Sequence, residues 1–292
     1  MRANPAEYEL VVPETLQEAL RLESNEPGSW MPIAGGTDVM VLYAAGKLQA
    51  RKLVSIGGLR ELRNIEVTSA EVRIGAGCTY TDLRQDSVIA KEFPLLTRAA
   101  AWTGGIANQN RGTLGGNIAN ASPAGDSLPV LLVYDADLIL LSARGERRIP
   151  YRTFHTGYKK TLLAPDELIH RICVSRTLQG YIPYAKKVGA RNAQAISKVF
   201  LAAMARISNT AIEDVRLAAG SVGPIPMRLA ETERALAGRT IDDSLLEMAG
   251  EVMAKEIQPI DDIRSTANYR TAVLRNLLGE FLRGLPGARI AS

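Results

Sequence analysis

Two glycine pairs, about eighty residues apart, are the segments of this chain best suited to hold an anion. Residues 32–39 read Pro-Ile-Ala-Gly-Gly-Thr-Asp-Val, and residues 112–117 read Gly-Thr-Leu-Gly-Gly-Asn. Both pairs stand beside small hydroxyl or amide side chains, and neither segment contains lysine. Glycine accepts positive φ and lets a ligand approach the backbone, so successive N–H groups can face an anion. Two such loops would grip the two phosphates of a dinucleotide from different sides.

The alternative interpretation is two ordinary turns, because a Gly-Gly pair between apolar runs is most often a turn. Neither loop fits the familiar phosphate-binding patterns. G-x-G-x-x-G does not open a helix after a strand, and G-x-x-x-x-G-K-[ST] does not occur. A Rossmann or P-loop site is therefore not predicted. Residue types and spacing leave both interpretations open.

The composition is that of an ordinary globular chain. The 292 residues are 46% apolar and 23% charged, with a net charge of +4, and this length favours two domains. Basic residues occur in short pairs instead of blocks, so nucleic acid is not a predicted partner. The sequence has no apolar run near the ~20 residues that span a bilayer and no apolar signal segment. We predict a cytoplasmic location, with export alongside a signal-bearing partner as the alternative.

The residues that most often bind metals are scarce. The only two cysteines, Cys78 and Cys173, have apolar, strand-like neighbours and are predicted to be buried free thiols. An iron–sulfur cluster ordinarily takes four thiolates, so we expect no cluster in this chain. The two histidines, His155 and His170, lie outside the glycine loops and are interpreted as structural. No zinc or Ser-His-Asp arrangement has credible spacing, so no metal ligand and no catalytic residue is assigned.

Four segments and a C-terminal tail occur in a characteristic order. The segments are residues 32–39, 112–126, 156–163 and 187–198, and the tail comprises residues 220–228 and 265–270. This order resembles the FAD-binding subunit of the molybdenum hydroxylases, the xanthine dehydrogenase and carbon monoxide dehydrogenase family. The resemblance covers nearly the whole chain. It implies a two-subdomain FAD-binding domain of the PCMH type, followed by an α+β C-terminal domain.

The resemblance also implies which residues bind FAD. The first loop would wrap the pyrophosphate, and the second loop would support the same region. Asp126 would hydrogen-bond the sugar-like chain, Lys187 would stand near the isoalloxazine edge, and Ile169 would flank the ring. Gly104 takes a position that is often aromatic in the family, which leaves that ring face more open. The implied loop residues are Pro32, Ile33, Ala34, Gly35, Gly36, Thr37, Asp38, Val39, Thr113, Leu114, Gly115, Gly116 and Asn117.

Several of these roles have a simpler alternative. Asp126 would also suit the N-cap of a helix over 127–133. Lys187 would also suit a solvated position, and the adjacent Lys186 leaves two lysines to choose from. Ile169 would also suit a buried strand. If a lysine does stand near the flavin, its charge would stabilise the anionic reduced form and raise the potential.

The function implied by the resemblance is that of an electron-transfer flavoprotein subunit. A large molybdopterin subunit would hydroxylate the substrate, and a small subunit with two [2Fe–2S] clusters would pass electrons to FAD here, in an (αβγ)2 assembly. NAD⁺, oxygen or a quinone would then accept the electrons. Thr37 replaces the histidine that often follows Gly-Gly in carbon monoxide dehydrogenases, which favours relatives that oxidise xanthine, aldehydes or N-heterocycles.

Two other functions are alternatives to this one. A self-contained flavoprotein oxidoreductase would act directly on a small organic substrate and would turn over without partners. An assembly subunit that has lost its flavin would not need both glycine loops, and both are intact.

The elements that must position these residues form an α+β pattern. We predict an FAD-binding domain over 1–177, with subdomains 1–57 and 58–177, and a C-terminal domain over 178–292. Residues 106–123 are predicted to be a long ordered loop, which is usually functional. Strands are predicted over residues 8–12, 31–34, 53–56, 72–75, 137–142, 147–149, 168–174, 181–188, 199–207 and 215–219. Helices are predicted over residues 38–45, 95–102, 228–237, 245–254 and 267–282, the last three covering the second sheet. A capping box over residues 15–18 predicts the start of a further short helix.

Overall fold

The structure is a computed structural model that describes residues 4–178, 180–191 and 194–289. Its strands are β1 (Glu9–Val11), β2 (Trp30–Ile33), β3 (Lys52–Ser55), β4 (Ile65–Val67), β5 (Glu71–Gly75), β6 (Asp137–Ser142), β7 (Gly145–Pro150), β8 (His155–Gly157), β9 (Lys160–Thr161), β10 (Leu168–Ser175), β11 (Ile182–Val188), β12 (Val199–Ser208), β13 (Ala211–Gly220) and β14 (Met227–Arg228). Its α-helices are α1 (Leu16–Asn25), α2 (Val39–Ala44), α3 (Tyr80–Gln85), α4 (Ser87–Glu92), α5 (Pro94–Trp102), α6 (Ile106–Gln109), α7 (Leu114–Asn120), α8 (Ser127–Val133), α9 (Ala230–Leu236), α10 (Asp243–Glu256) and α11 (Ala267–Arg283). The predicted α+β class is confirmed.

A small parallel sheet at the start of the chain carries the first glycine loop. Its strand order is β1-β3-β2, and β2 ends at Ile33, directly before the loop. Helix α1 packs against this sheet, with Leu16 and Leu20 in one core cluster with Trp30 and Val54. The loop therefore leaves the sheet from a strand that is anchored on one side by a separate small core.

The second sheet has five antiparallel strands in the order β4-β5-β10-β6-β7. Strand β6 alternates between half-buried and buried residues, with Leu138 and Leu140 in the core, as expected of a strand with one buried face. Ser142 pairs with Gly145, so the turn between β6 and β7 has two residues, fewer than the four that separate the predicted strands 137–142 and 147–149. Helices α3, α4, α5, α7 and α8 contribute to the core against this sheet.

The C-terminal sheet, β11-β12-β13-β14, is covered on both faces. Alternate residues of β12 point in opposite directions, so Phe200 and Met204 join the core of the five-stranded sheet, whereas Leu201 and Ala205 pack against α9, α10 and α11. Burial on both faces explains why β12 is apolar without interruption from Val199 to Ala205. The C-terminal unit is therefore fixed against the first part of the chain by a shared core.

The segment 106–123 differs from the prediction of a long loop. It contains the helices α6 and α7, and α7 begins because the Thr113 hydroxyl accepts a hydrogen bond from the N–H of Gly116 at 3.1 Å. Helix α7 ends at Ala121, which takes the left-handed conformation with φ of 49°. Glycine and asparagine content hid these short helices, because their hydrophobic periodicity extends over hardly more than one turn.

Two further helices, α3 and α4, were not predicted. Helix α3 begins with a capping box in which Thr79 and Asp82 each accept from the other's backbone N–H. The box predicted at the start of α1 is only half formed, because the Glu18 carboxylate accepts from the N–H of Glu14 instead of Thr15. Within the described ranges, no helix has the length and apolar character needed to cross a bilayer. The predicted domain boundaries and the cytoplasmic location stay predictions.

Candidate cofactor site

The two glycine loops lie in direct backbone contact. A Cβ placed on Gly35 would stand 1.8 Å from the carbonyl oxygen of Arg111 and 3.0 Å from the N of Gly112. Because real Cβ contacts do not reach such distances, only glycine allows the first loop to approach the second this closely. The loops are distant in sequence and form one feature in space.

The first loop presents a run of free backbone donors. Gly36 has a φ of +74°, which turns the chain sharply before α2 begins. Among the described residues, none accepts a hydrogen bond from the backbone N–H groups of residues 35–39. These residues are half-buried or exposed, so a ligand can reach them. Such an arrangement of free N–H groups is the kind that can form an anion-binding concavity.

The second loop is built differently from the prediction. We expected residues 113–117 to offer N–H groups, and this is wrong for residues 114–117. The N–H of Leu114 donates to Cys78 O at 3.0 Å, that of Gly115 to Ala76 O at 2.9 Å, and that of Asn117 to Thr113 O at 3.0 Å. The N–H of Gly116 is taken by the Thr113 hydroxyl. Donors left for a ligand are the N–H and hydroxyl of Thr113 and the side-chain amide of Asn117.

The two glycines of the second loop have separate reasons to be glycine. A Cβ on Gly115 would stand 2.5 Å from the Cβ of Ala76, so Gly115 permits close packing on the chain that follows β5. A Cβ on Gly116 would meet only the Thr113 hydroxyl oxygen, at 2.8 Å. Gly116 is exposed, so its backbone is accessible from the cavity side. The first glycine serves packing and the second leaves room for a ligand.

Two adjoining cavities surround the loops. The smaller, of about 440 Å³, is lined by Pro32, Ala34, Gly35, Gly36, Thr37, Asp38, Val39, Gly104, Thr113, Gly115, Gly116, Asn117 and Ile169, with aliphatic side chains from Ile56, Leu62, Leu163 and Leu168. The larger, of about 770 Å³, is lined by Asp126, Tyr158, Ser197, Ile260 and Arg270, among others. The residues that line both cavities are Asp38, Thr103, Gly104, Asn108, Asn117 and Asn120. The two cavities therefore adjoin and together form the candidate space for a ligand.

Three of the predicted site residues do not line this space. Ile33 is the last residue of β2, and Leu114 is fully buried in the core. Lys187 stands behind Asp126: its Nζ lies 2.6 Å from Asp126 Oδ2 and 3.1 Å from the carbonyl oxygen of Trp102. Both charged side chains of this pair are less than a tenth exposed. The alternative interpretation of Lys187 as a solvated lysine is therefore wrong.

Asp126 does not cap α8, although it precedes that helix. Its side chain makes no capping hydrogen bond and instead accepts from Lys187 and from the Ser197 hydroxyl, the latter at 2.5 Å. Burial raises the pKa of Asp126, and the attraction of Lys187 and the two hydrogen bonds oppose that rise. Lys186 lies on the other face of β11 and pairs with Glu280 at 2.6 Å on the surface. Between the two lysines, only Lys187 faces the site.

Ile169 and Gly104 also occupy defined places. Ile169 lines the smaller cavity only, whereas Asp126 lines the larger only, so Ile169 and the Lys187 pair stand beside different parts of the space. Gly104 has a φ of +63°, and a Cβ there would stand 2.8 Å from the Nδ2 of Asn108. A bulky residue would be strained at this position, so Gly104 acts as a turn residue that leaves the cavity wall open.

The remaining candidates have structural roles. His155 Nε2 contacts the carbonyl oxygen of Ile118 at 3.0 Å, and burial lowers the pKa of this histidine. Cys78 and Cys173 are buried free thiols, and burial raises their pKa values to about 12 and about 11. In the part of the chain that the structure describes, no group of three or more His, Cys, Asp or Glu residues is arranged to hold a metal ion.

Sequence reasoning missed the contribution of the C-terminal unit to the site. Ser197 binds Asp126, and Arg270 lines the larger cavity although it belongs to α11. Both residues stand in segments that carried the family resemblance, and that was the only available signal. No periodicity or spacing connects Ser197 to Asp126, which is 71 residues away.

Comparison with known proteins assigns the class. Residues 6–176 match the family of the FAD binding domain in molybdopterin dehydrogenase, and residues 184–285 match the CO dehydrogenase flavoprotein C-terminal domain. The chain therefore belongs to the family of FAD-binding subunits of molybdenum hydroxylases, and its cofactor is FAD. The predicted resemblance is confirmed, and the chain is an oxidoreductase subunit.

Individual relatives agree with this assignment. The chain is 31% identical over 265 residues to the xanthine dehydrogenase FAD-binding subunit of Escherichia coli O157:H7, covering 90% of each chain. It is 33% identical over 275 residues to the glyceraldehyde dehydrogenase medium chain of Sulfolobus acidocaldarius, covering 94% of this chain and 96% of the relative. A solved carbon monoxide dehydrogenase from Hydrogenophaga pseudoflava superposes with a TM-score of 0.91 at 26% identity, covering 99% and 98% of the two chains.

Proposed function

We propose that this chain holds one FAD across the two adjoining cavities and serves as the electron-transfer subunit of a molybdenum hydroxylase complex. The observation that carries the proposal is the free run of N–H groups over residues 35–39, which is set against the second loop and lines the smaller cavity. A diphosphate needs several donors that converge on it, and this run is such a set. The residues present therefore fit the cofactor of the family.

The first loop would hold the diphosphate through backbone groups. The N–H and hydroxyl of Thr113 and the amide of Asn117 would bind it from the other side, because these donors line the smaller cavity. Gly116 offers no side chain here, so the phosphate oxygens can approach the backbone. Ile33 and Leu114 would support the loops from behind without contacting the ligand, whereas Pro32 lines the smaller cavity.

The two cavities suit the two ends of the cofactor. Leu62, Leu168 and Ile169 give the smaller cavity an aliphatic wall, which suits an adenine ring. We therefore assign Ile169 to the adenine end instead of the flavin ring. The larger cavity, which borders the Asp126–Lys187 pair and the C-terminal unit, would take the isoalloxazine end.

Bound FAD supplies the redox chemistry, in particular the exchange between two-electron and one-electron carriers. The chain's own residues position the cofactor and set its electrostatic surroundings. Lys187 bears a positive charge, but Asp126 stands 2.6 Å away and balances it. The buried pair therefore adds little net charge beside the flavin, in contrast to the isolated cation expected from the sequence.

The electron route requires partner subunits. The chain has two cysteines, so a [2Fe–2S] cluster that feeds the flavin would belong to another chain. Relatives are named medium chains or subunits, among them the nicotine 6-hydroxylase medium subunit of Paenarthrobacter nicotinovorans. We propose a small [2Fe–2S] partner and a large molybdopterin partner in an (αβγ)2 assembly, with NAD⁺, oxygen or a quinone as the acceptor.

The test compares the chain alone with the assembled complex. The chain would be reconstituted with FAD and mixed anaerobically with xanthine, an aldehyde or an N-heterocycle, while the absorbance of the flavin is followed. We expect bleaching of the flavin by one of these substrates only when both partners are present. Bleaching in the chain alone would establish the alternative, a self-contained flavoprotein oxidoreductase.

A further inference from the structure

Arg270 is a buried arginine in the first turn of α11, at the wall of the larger cavity. Only 3% of the residue is exposed, and arginine is rarely buried to this extent unless it is paired. Thr266 caps α11 by accepting from the N–H of Tyr269 at 3.2 Å, which fixes the turn that carries Arg270. A charge placed so deep needs hydrogen-bond acceptors. Both terminal nitrogens of Arg270 have them, whereas its Nε has no partner among the described residues.

The guanidinium joins three separate segments of the C-terminal unit. One terminal nitrogen donates to the carbonyl oxygen of Lys198 at 2.7 Å and to that of Ser221 at 3.0 Å. The other donates to Asp262 Oδ1 at 2.8 Å. Asp262 is held in turn by the N–H groups of Arg264 and Ser265. Arg270 is therefore a cross-link between the start of β12, the end of β13 and the 260–265 turn.

The segments that Arg270 joins are connected by hydrogen bonds to Asp126, which lines the larger cavity. Ser197 precedes Lys198 directly, and its hydroxyl donates to Asp126 Oδ1. The Ser221 hydroxyl donates to the carbonyl oxygen of Ser197 at 2.9 Å, while the Ser221 N–H donates to Pro123 O at 2.8 Å. Arg270, Ser221, Ser197 and Asp126 all line the larger cavity.

Ser221 is held in a conformation that its surroundings must impose. Its φ is +64°, which is uncommon for a residue other than glycine, asparagine or aspartate. Such conformations persist where neighbouring contacts over-determine them, and here Pro123, Ser197 and Arg270 all bind this residue. Arg270 thus contributes to holding the turn beside Asp126 in one arrangement.

We propose that Arg270 is a positioning residue for the flavin end of the site: it fixes Ser197, and through Ser197 it fixes the Asp126 carboxylate. The inference rests on the proposed function, because it assumes that FAD occupies the larger cavity. It makes the C-terminal unit a determinant of cofactor affinity and of the flavin's electrostatic surroundings. Arg270 itself acts without direct participation in the redox step.

The experiment uses the full chain, alone and in complex with its partners, with Arg270→Met, Arg270→Lys, Ser197→Ala and the double variant. The matched control is Arg228→Met. Arg228 also joins the C-terminal unit to the first part of the chain, through Leu132 O at 2.9 Å and Asp135, but it does not line either cavity. The readouts are the dissociation constant for FAD, the flavin midpoint potential and the melting temperature.

We expect Arg270→Met to weaken FAD binding by about tenfold or more and to shift the midpoint potential, with Arg270→Lys intermediate. Ser197→Ala should change FAD affinity and midpoint potential in the same direction as Arg270→Met. The double variant Arg270→Met/Ser197→Ala should differ little from Arg270→Met, because the two residues act in one chain of contacts. Arg228→Met should lower the melting temperature and leave the midpoint potential unchanged.

Equal changes of FAD affinity and midpoint potential in Arg270→Met and Arg228→Met would overturn the inference. Unchanged affinity and potential in Arg270→Met would also overturn it. If the wild-type chain itself does not bind FAD, the proposed function fails instead.

Discussion

Gly35 lies against Arg111 so closely that a Cβ on Gly35 would overlap the Arg111 carbonyl oxygen, at 1.8 Å. This backbone-to-backbone contact is what joins two loops that are distant in sequence. The joined loops place free N–H groups from one beside the Thr113 hydroxyl of the other. The site therefore depends more on the absence of a side chain at Gly35 than on the chemistry of any side chain.

Gly35→Ala should therefore separate the loops. The added methyl group meets backbone atoms that cannot rotate away, so we expect FAD affinity to fall by about tenfold or more and the melting temperature to drop. Fluorescence titration with FAD and thermal unfolding measure the two effects. Gly58→Ala is the matched control, because a Cβ on Gly58 would meet nothing within 4 Å. Equal affinity in the two variants would argue against loop contact as the basis of binding.

Gly115 and Gly116 should respond differently to substitution. Gly115→Ala forces a methyl group against Ala76, so the melting temperature should fall. Gly116→Val instead fills the open face of the cavity, so flavin retention should fall with a smaller loss of stability. The ratio of flavin absorbance to protein absorbance after purification measures retention. Unchanged retention in Gly116→Val would place the phosphates elsewhere.

Substitutions of Lys187 and Lys186 test whether Lys187 is buried in an ion pair and Lys186 is not. Lys187→Met leaves the Asp126 carboxylate buried without its partner, which should cost about 3–5 kcal/mol in the free energy of unfolding. Lys186→Met removes a pair whose side chains are half exposed, so the loss should be about 1 kcal/mol or less. Urea unfolding measures both. Combining Lys187→Met with Asp126→Asn should recover part of the lost free energy of unfolding. If Lys187→Met lost no more stability than Lys186→Met, the buried Asp126–Lys187 pair would be contradicted.

Glu23 should make stability depend on pH. It is 2% exposed, its Oε1 has no hydrogen-bond partner, and burial, with a contribution from Asp166, raises its pKa to about 7. Between the ordinary carboxyl pKa and pH 7 the folded state binds more protons than the unfolded state, so stability falls as pH rises. Glu23→Gln should therefore add on the order of 1–3 kcal/mol at pH 8 and little at pH 4.

Melting curves of the wild type and Glu23→Gln at several pH values check this prediction. The difference between the two melting temperatures should grow from pH 4 to pH 8. A constant difference across this range would show that Glu23 is ionised with an ordinary pKa in the folded protein.

The sequence predicted the elements with long periodic patterns and missed the short ones. Strand β12 and helix α11 were predicted nearly to their ends, because each carries an apolar pattern over ten or more residues. Helix α7 has seven residues, two of them glycine, and its start depends on the single hydrogen bond to Thr113. An apolar pattern over so few residues cannot be distinguished from the sequence of a loop.

The candidate site was predictable where backbone chemistry determines it and unpredictable where tertiary packing does. The glycines at 35 and 36 indicated an anion-binding loop, and the structure places free N–H groups there. The engagement of the second loop's N–H groups by Ala76 and Cys78 depends on which chain segment lies beside it, and no residue pattern encodes that. The same holds for Lys187, whose burial follows from the docking of β11 against α5.

Amide hydrogen exchange with and without FAD tests the central claim most directly, namely that backbone amides of the first loop hold the diphosphate. The account predicts that added FAD slows exchange at residues 35–39, where the N–H groups are free, and changes residues 114–117 much less, because those N–H groups already have acceptors. Protection at residues 114–117 with none at residues 35–39, in a chain shown to bind FAD, would contradict it.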